Sequence, residues 1–400
     1  MDHKAYLEQL SKGPIPKELP FTQEEYQQRV ARVREGMGEA GLDVLLVTFP
    51  PNLFYLTGYY TFSVDNYSCL ILPREGEPAM QVASLEISAA LLSGWVEEVV
   101  SFDWHETGGI ASQLAGMLME RGLEEKRIGV ELRRKGIGPP LYRELEATLS
   151  KADFQDASDI VFKARLIKSS REIEYLREAA KITAAGIEAS LAAIKTGVTD
   201  NDVAKVGLEA LVGAGSEFMS TQPIVTSGHR SGWIHTNHRR VLLKVGDTVF
   251  LEFGGCYQRY TAPLMRTAII GRPAEEVVRV TEAVKDTVNR LLEAIRPGRT
   301  CHEVAQEGHK GFAHIDSEVF FSGVYGYNVG VGFPPSWSEG LTFLAEGIDQ
   351  PLHPGMAFHL PICLRAPGRF GVGLSETIVV TETGCEILTE QARDLKVVPA

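Results

Sequence analysis

The chain has 400 residues, of which 52 are acidic and 40 basic, giving a formal net charge of −12 at pH 7. This length exceeds the usual size of a single hydrophobic core, so two domains are expected. The acidic balance argues against nucleic-acid binding and against anionic membranes, because both attract patches rich in Lys and Arg.

The N-terminal segment and the cysteines indicate the cellular setting. The segment carries charges where a secretory signal needs an apolar core, and no apolar run approaches the roughly 18 residues of a membrane span. We therefore expect a soluble, cytoplasmic protein. The five cysteines are scattered and form no CxxC pair, which argues against a disulfide framework and a zinc knuckle.

The first part of the chain alternates helix and strand patterns. A helix is predicted over residues 21–40, with Thr22 as its N-cap and Gly41 as its terminator. Buried strands are predicted over residues 43–49, 68–72 and 127–131. This alternation is typical of an α/β domain. No phosphate-binding glycine motif follows these strands, so nucleotide binding is not expected.

Residues 52–67 are predicted to form a loop dense in aromatic side chains. Two interpretations remain open for this loop. In the first, the aromatic rings pack under a small sheet. In the second, Tyr59, Tyr60, Phe62 and Asn66 protrude and serve in recognition.

The second part of the chain begins with a long amphipathic helix, capped by Ser169 or Ser170 and closed by Gly197. Thr199 and Asp202 form a predicted capping box for the next helix. Two more helices are predicted over residues 274–295 and 300–314, separated by a Pro-Gly turn.

A strand pair between residues 242 and 270 carries the main chemical signal. Strands over 248–253 and 257–270 are predicted to be joined by a tight turn at Gly254 and Gly255. Glu252 stands in the first strand among apolar neighbours. A carboxylate there costs several kcal/mol to bury unless it is paired or used.

This segment resembles the pita-bread hydrolases, a family that includes methionine aminopeptidases, Xaa-Pro peptidases, creatinases and ectoine hydrolases. The matching residues are Gly246, Asp247, Glu252, Tyr260, Arg266 and Thr267. The resemblance implies a two-domain α/β protein. A creatinase-like α/β domain would span residues 1–160, and a C-terminal pita-bread domain, with an antiparallel sheet flanked by helices, would span 161–400.

Peptidases of that family bind two divalent metal ions through five carboxylate and histidine ligands. The corresponding positions here fall on Glu252, Pro263, Val329 (Asn328 if the register slips by one), Pro361 and Ser375, with Glu376 next to the last. Proline and valine side chains cannot coordinate a metal. We therefore predict no dinuclear metal centre and no cofactor.

Three segments are similar to those of the ectoine hydrolases within the family. They comprise Glu252, Gly255, Cys256, Tyr257, Arg259, Tyr260, Ala262, Pro263, Leu264, Arg266 and Thr267, then Gly326, Tyr327, Gly330, Pro334, Pro335 and Trp337, and lastly Gly355, Met356, Phe358 and His359. Residues 374–376 match only approximately, which leaves the exact substrate open.

This similarity implies a metal-independent hydrolase of a C–N bond in a small non-peptide solute or amidine. Ectoine is the best single candidate, opened to N-acetyl-diaminobutyrate. The alternatives are an Xaa-Pro dipeptidase, a creatinase-like amidinohydrolase and a non-catalytic binding protein.

His235 and Glu252 are the predicted catalytic pair. His235 lies twelve residues before Asp247, where creatinases carry their proton-transfer histidine, and a neutral imidazole moves protons well near pH 7. His229 and His238 compete for this role. Glu252 is interpreted as a nucleophile, as a general base or as an anchor for a cationic substrate, and a purely structural acid is the alternative. Whether Cys256 is reactive is left open.

The predicted binding shell surrounds this pair and takes a small molecule as its ligand. Its members are Tyr260, Arg266, Phe333, Trp337, His359 and Glu376, with Tyr60 and Phe62 from the aromatic loop. In several members of the resembled family this loop reaches the partner's active site. The resemblance therefore implies a homodimer with residues 59–66 near the partner's site.

Overall fold

The computed structural model describes residues 3–10, 13, 15–105, 107–133 and 136–400. They divide into two compact units, Met1–Arg165 and Leu166–Ala400. Within the described residues, no helix combines the length and the apolar character that crossing a bilayer requires.

The first unit is an α/β fold. Its helices are α1 (His3–Leu10), α2 (Gln23–Glu39), α3 (Pro50–Thr57), α4 (Ile87–Ser93), α5 (Ile110–Met119), α6 (Pro139–Thr148) and α7 (Ser158–Leu166). Its strands are β1 (Val44–Val47), β2 (Ser68–Pro73), β3 (Ala79–Ala83), β4 (Glu98–Phe102), β5 (Arg127–Val130) and β6 (Asp153–Asp156), which form a mixed sheet in the order β4-β3-β2-β1-β5-β6.

Helices cover both faces of this sheet. Leu45 and Val47 of β1 pack in the same cluster as α2, α3 and α4, whereas Val44 and Leu46 pack with α5 and α6. This alternation follows from the period of two along a strand. Thr22 caps α2 as predicted, since its side chain accepts a hydrogen bond from the N–H of Glu25 at 3.3 Å.

Two details of the first unit differ from the sequence prediction. Residues 52–57 of the predicted aromatic loop belong to α3, because proline stands at the first turn of this helix and Gly58 ends it at φ 82°. The predicted domain boundary at residue 160 lies inside α7. This helix stays with the first unit because Val161 is fully buried in that unit's core.

The second unit combines helices with antiparallel sheets. Its helices are α8 (Ser170–Ala193), α9 (Asp200–Gly213), α10 (Glu275–Ala294) and α11 (Cys301–His309). Its strands are β7 (Ile224–Ser227), β8 (Thr248–Phe253), β9 (Cys256–Tyr257), β10 (Tyr260–Thr261), β11 (Leu264–Ile270), β12 (Gly326–Phe333), β13 (Ser336–Leu344), β14 (Ala357–His359), β15 (Ile362–Ala366), β16 (Phe370–Leu374), β17 (Thr377–Val380), β18 (Cys385–Ile387) and β19 (Lys396–Val398).

The strands of the second unit form layered sheets. One runs β18-β17-β14-β12-β10-β9, with β13 also paired to β12, and another runs β19-β11-β8-β7; β15 and β16 pair with each other. α8 and α9 pack on the inner residues of β8 and β11, and α10 and α11 pack over β14, β15 and β16. An α/β unit followed by an α+β unit with antiparallel sheets is the predicted fold class, which is confirmed.

The helix caps of the second unit are also confirmed. Ser169 accepts from the N–H of Glu172, whose carboxylate accepts from the N–H of Ser169 in return. Thr199 and Asp202 form the same reciprocal arrangement at α9. The predicted helix over residues 300–314 is shorter, ending at His309, and a 3₁₀ segment follows over Ala313–Glu318.

The turn after β8 differs from its prediction. Positive φ angles occur at Gln258 (49°) and Arg259 (64°), which join β9 to β10, and not at Gly254 or Gly255. Glycine is favoured at positions 254 and 255 for a different reason, because neighbouring atoms leave no room for a side chain. A Cβ at Gly254 would lie 2.8 Å from the Thr261 methyl, and one at Gly255 would lie 2.6 Å from an Ile182 methyl.

Candidate active site

Glu252 stands near the end of β8, a strand that lies between β11 and β7. In β8, Val249, Leu251 and Phe253 face α8 and α9, so Glu252 projects from the opposite face. Its cross-strand neighbours are Ile224 in β7 and Met265 in β11. The carboxyl group therefore lies on a largely apolar surface.

This apolar surface controls the protonation of Glu252. The residue is 9% exposed, and its carboxylate makes no hydrogen bond to another residue among those described. Burial raises the pKa of Glu252 to about 7, and the positive charge of Arg365 acts in the opposite direction. Near neutral pH the group exists in both forms, which suits a nucleophile or a general base.

A continuous series of hydrogen bonds runs beside Glu252, and we call it the Trp337–Ser375 chain. The indole N–H of Trp337 donates to the Tyr327 hydroxyl at 2.8 Å. That hydroxyl lies 2.8 Å from Nδ1 of His359, and Nε2 of His359 lies 2.7 Å from Oγ of Ser375. The amide N–H of Met265 donates to the same Ser375 oxygen at 2.6 Å. Four distant segments of sequence thus meet in one polar line.

His359 is the neutral centre of this chain. It is fully buried in β14 and stands directly across from Tyr327 in β12. Burial lowers the pKa of His359 to about 3, so the imidazole stays neutral at physiological pH. Burial and the nearby charge of Glu252 raise the pKa of Tyr327 well above its usual range, so its hydroxyl keeps its proton.

The structure does not bring Arg266 and Glu376 to this group. Adjacent to Met265 in β11, Arg266 projects from the opposite face and is 2% exposed. It pairs with Glu376 at 3.0 Å and also donates to the carbonyls of Met265, Ser375, Gln391 and Ala392. Glu376 additionally binds Arg393 at 3.0 Å. All of these atoms are engaged in holding the strands and the C-terminal segment together.

Tyr260 and Phe333 also contact protein groups rather than Glu252. The Tyr260 hydroxyl donates to Glu172 at 2.8 Å, which ties β10 to the first turn of α8. The Phe333 ring is buried, and the guanidinium carbon of Arg259 lies 4.6 Å from its centroid. A role for either residue in substrate binding stays a prediction, and we leave both out of the site proposed below.

His235 lies in an exposed turn and adopts a positive φ of 52°. Its ring forms no hydrogen bond with another of the residues described. The segment after it is fixed, because Asn237 accepts from the N–H of Val225 in β7 at 3.0 Å and Asp200 accepts from the N–H of Val241 at 2.8 Å. The catalytic role of His235 stays a prediction.

The aromatic loop divides between the two interpretations given above. Tyr59 does not protrude, since it is 1% exposed and its hydroxyl donates to Glu86 at 2.7 Å. Tyr60 is partly buried, and its N–H donates to Ser93. Phe62 is 79% exposed, so its large apolar ring is available for contact.

The five positions that bind metals in the peptidases do not offer a metal-binding set here. Besides Glu252 they hold Pro263, Val329, Pro361 and Ser375. The Pro263 carbonyl accepts from Thr377 at 2.7 Å, and Ser375 Oγ is held by Met265 and His359. Among the described residues, no group of three or more His, Cys, Asp or Glu side chains is arranged to hold an ion. These donors do not fit a two-metal centre, and metal independence remains a prediction.

Several residues near Glu252 were not predicted from the sequence. In the sequence, Tyr327 stands only in a matching segment, and Ser375 only at a ligand position of the peptidases. No pattern singles out Cys363 or Arg365 in β15 as site residues, yet the charges of Glu252 and Arg365 both act on the Cys363 thiol. The signal for Tyr327 was its place in the segment similar to the ectoine hydrolases.

Comparison with known proteins gives consistent results across both units. Residues 29–167 match the Creatinase/Prolidase N-terminal domain, and residues 174–382 match Metallopeptidase family M24. The chain is 31% identical to the ectoine hydrolase of Halomonas elongata over 402 residues, which covers 94% of this chain and 98% of that protein.

Solved structures show the same architecture. The dipeptidase PepE of Mycobacterium ulcerans has a TM-score of 0.82 at 25% identity, covering 95% of this chain and all of that one (100%). The prolidase of Pyrococcus horikoshii OT3 has a TM-score of 0.80 at 23% identity, covering 92% and 99%, and shows the fold alone. The predicted pita-bread architecture and hydrolase class are confirmed. The chain belongs to Metallopeptidase family M24, with a creatinase/prolidase domain preceding its M24 domain.

Proposed function

We propose that this protein is a metal-independent hydrolase of a C–N bond in a small non-peptide solute, with ectoine as the preferred substrate. The observation that carries the proposal is Glu252, a buried carboxyl group with a pKa of about 7 and no hydrogen-bonded partner among the described residues. The similarity to an ectoine hydrolase along nearly the whole chain supports the choice of substrate.

Glu252 supplies the attacking group in this scheme. Its carboxylate either attacks the amidine carbon itself or removes a proton from a water molecule that attacks it. Both routes need the ionised form, and both benefit from a pKa close to the working pH. A carboxylate anchoring a cationic substrate is the third possibility, and its ionisation would then govern substrate binding and not the chemical step.

His235 is proposed to move the proton to the departing nitrogen. Its turn is anchored next to β7, the strand that pairs with β8 at Glu252. An imidazole in an exposed turn can exchange protons with solvent and with a ligand. The proposal is supported by the spacing of His235 from Asp247 in the sequence.

The Trp337 indole is proposed to form one wall of the binding pocket. It is 5% exposed, and its N–H is held by Tyr327, which fixes the plane of the ring. A fixed aromatic face suits a small, flat, cationic ring.

An Xaa-Pro dipeptidase is the second candidate, since the Xaa-Pro dipeptidase of Bacillus anthracis has the same fold, with a TM-score of 0.80 at 25% identity. That activity in the resembled family depends on a pair of metal ions. The donors at the five ligand positions do not fit such a pair, which favours the first candidate.

Hydrolysis assays with the purified protein separate the two candidates. The substrates are ectoine, creatine and an Xaa-Pro dipeptide, each with and without a chelator, and the products are followed by NMR. We expect N-acetyl-diaminobutyrate from ectoine, unaffected by the chelator. Dipeptide cleavage that the chelator abolishes and manganese or cobalt restores would overturn the proposal.

A thermal-shift measurement with the same compounds tests for a non-catalytic binding protein. A ligand that binds the native state raises the unfolding temperature whether or not it is turned over. Stabilisation by ectoine without any hydrolysis would identify a binding protein instead of an enzyme.

We also propose a homodimer in which the loop of residues 59–66 contacts the partner. The exposed Phe62 ring supports this proposal. Sedimentation of the native protein and of a Phe62→Ser variant tests it. We expect a dimer that the substitution weakens, and a monomeric native protein would contradict the proposal.

A further inference from the structure

The Trp337–Ser375 chain begins and ends next to Glu252. At one end, Met265 stands directly opposite Glu252 and donates its amide hydrogen to Ser375. At the other end, the Trp337 ring packs so closely on Gly254 that a Cβ there would lie 2.9 Å from it. Gly254 follows Glu252 by two residues, and the charge of Glu252 acts on Tyr327 within the chain.

The directions of the hydrogen bonds in this chain can be deduced from its donors. The Trp337 indole and the Met265 amide can only donate. His359 is neutral, so one ring nitrogen carries a hydrogen and the other accepts. Two arrangements are therefore possible, one for each tautomer of His359.

In the first arrangement, the Tyr327 hydroxyl donates to Nδ1 and Nε2–H donates to Ser375. Oγ of Ser375 then accepts two hydrogen bonds. The hydroxyl hydrogen of Ser375 has no acceptor among the residues that the structure describes. Ser375 is fully buried. An unsatisfied buried donor costs about 1–3 kcal/mol, which disfavours this tautomer.

In the second arrangement, the Ser375 hydroxyl donates to Nε2, and Nδ1–H donates to the Tyr327 oxygen. The hydrogen left without an acceptor among the described residues is then that of Tyr327 and no longer that of Ser375. The Tyr327 oxygen accepts from both Trp337 and His359, so its own O–H points away from both. Tyr327 as a residue is partly exposed whereas Ser375 is fully buried, so the second arrangement is the favoured one.

We propose that Tyr327 is a catalytic hydrogen-bond donor to the substrate held at Glu252, and that His359 and Ser375 are positioning residues that direct its hydrogen outward. This inference rests on the proposed function. Attack on an amidine carbon moves an electron pair onto a ring nitrogen, and the Tyr327 hydroxyl donates to that nitrogen. Two N–H groups on its oxygen make Tyr327 a stronger donor.

The tautomer of His359 tests the deduction without any substrate. Long-range ¹H–¹⁵N spectra of the ¹⁵N-histidine-labelled native protein distinguish Nδ1–H from Nε2–H. The His359 signal is the imidazole that stays neutral at pH 5 and is lost in a His359→Gln variant. We expect Nδ1–H. An Nε2–H tautomer would overturn the proposal, because the Tyr327 hydroxyl would then donate to Nδ1 of His359 and not to a ligand.

Two variants test the consequences for turnover. Tyr327→Phe is expected to lower kcat on ectoine by about 10²–10³-fold with little change in KM, as for the loss of one donor to a developing charge. Ser375→Ala removes the hydroxyl that donates to Nε2 of His359. It is expected to keep the Nδ1–H tautomer, to move the ¹⁵N resonance of the unprotonated Nε2, and to lower kcat as well. Wild-type kcat in Tyr327→Phe would refute the catalytic role, and an unmoved Nε2 resonance in Ser375→Ala would refute the positioning role.

Thr377→Val is the matched control for these variants. It removes a buried hydroxyl two residues from Ser375 that binds the Pro263 carbonyl and takes no part in the chain. We expect it to leave the Nε2 resonance of His359 unchanged, and a movement as large as that in Ser375→Ala would refute the positioning role. If the native protein does not hydrolyse ectoine, the proposed function fails, while the tautomer still decides the direction of the Tyr327 hydrogen.

Discussion

Glu252 in β8 stands directly opposite Met265 in β11, and the Met265 amide donates to Ser375 at 2.6 Å. Met265, the cross-strand neighbour of the one acid in β8, is thus hydrogen-bonded to the Trp337–Ser375 chain, whose other members come from β12, β13 and β14. The carboxyl group itself receives no hydrogen bond from the described residues. Its environment therefore favours the neutral form, and ionisation near pH 7 has a cost in stability.

Glu252→Gln is expected to remove that cost. The folded-state pKa of Glu252 is raised to about 7 from an ordinary value of 4.5. The folded protein therefore binds more protons than the unfolded chain between these values, and the stabilisation present below pH 4.5 is lost as pH rises through 7. The variant is expected to be more stable than the native protein at pH 8, by up to about 3 kcal/mol.

Urea unfolding at pH 5 and pH 8 measures this difference. Glu390→Gln, which replaces an exposed carboxylate, is the control and is expected to change little at either pH. Equal unfolding free energies of the native protein and Glu252→Gln at pH 8 would contradict the prediction. The same Glu252→Gln variant is expected to lose turnover by about 10²–10⁴-fold or more.

The pH dependence of kcat/KM gives a second test of Glu252. As a nucleophile or base it acts as the carboxylate, so kcat/KM is expected to rise with pH through about 7. Arg365, Tyr327 and Cys363 are the other ionisable groups that interact with it. Burial raises the pKa of Cys363 to about 11, and that of Tyr327 lies well above its usual range. A profile that falls across pH 6–8 would instead indicate that the protonated acid is the active form.

Glu376→Gln is expected to act on stability and not on ligand affinity. The substitution leaves Arg266 without its buried counter-ion and Arg393 without its carboxylate. Breaking a buried ion pair from one side costs roughly 3–5 kcal/mol. Chemical unfolding and ectoine titration of the same variant separate the two effects. Weakened ectoine binding at undiminished stability would contradict this prediction and would show that Glu376 contributes to substrate binding.

Gly254→Ala tests the contact between β8 and Trp337. The added Cβ would lie 2.8 Å from a Thr261 methyl and 2.9 Å from the Trp337 ring. Overpacking of this kind costs about 1–3 kcal/mol, and it displaces the ring that holds Tyr327. Lower stability and a lower kcat are expected together. Gly384→Ala is the control, since its nearest neighbour would be 3.9 Å away, and similar losses in both variants would contradict the argument.

The sequence predicts a segment well where residues close together in the chain form its hydrogen bonds. Thr22, Ser169 and Thr199 cap their helices through groups three residues away, and this geometry requires no knowledge of the rest of the fold. The alternation along β8 likewise depends only on the period of a strand. The isolation of Glu252 among apolar residues was therefore visible in the sequence.

The residues that the sequence placed incorrectly or left open depend on distant contacts. The glycines after β8 fit a turn signal, but packing against Ile182 and Trp337 explains them, and the turn lies at Gln258 and Arg259. The aromatic loop was read from its composition, whereas the burial of Tyr59 depends on Glu86 in a later segment.

The sequence by itself determined the two-unit architecture, the helix caps and the acid on β8, because periodicity, capping and composition are local properties. Only the tertiary structure decided the surroundings of that acid. Trp337, Tyr327, His359 and Ser375 meet through strand pairing between separate segments, and Arg266 and Glu376 turn to the opposite face of the sheet. Which polar groups share a buried space depends on the register of those strands, and no short stretch of sequence specifies that register.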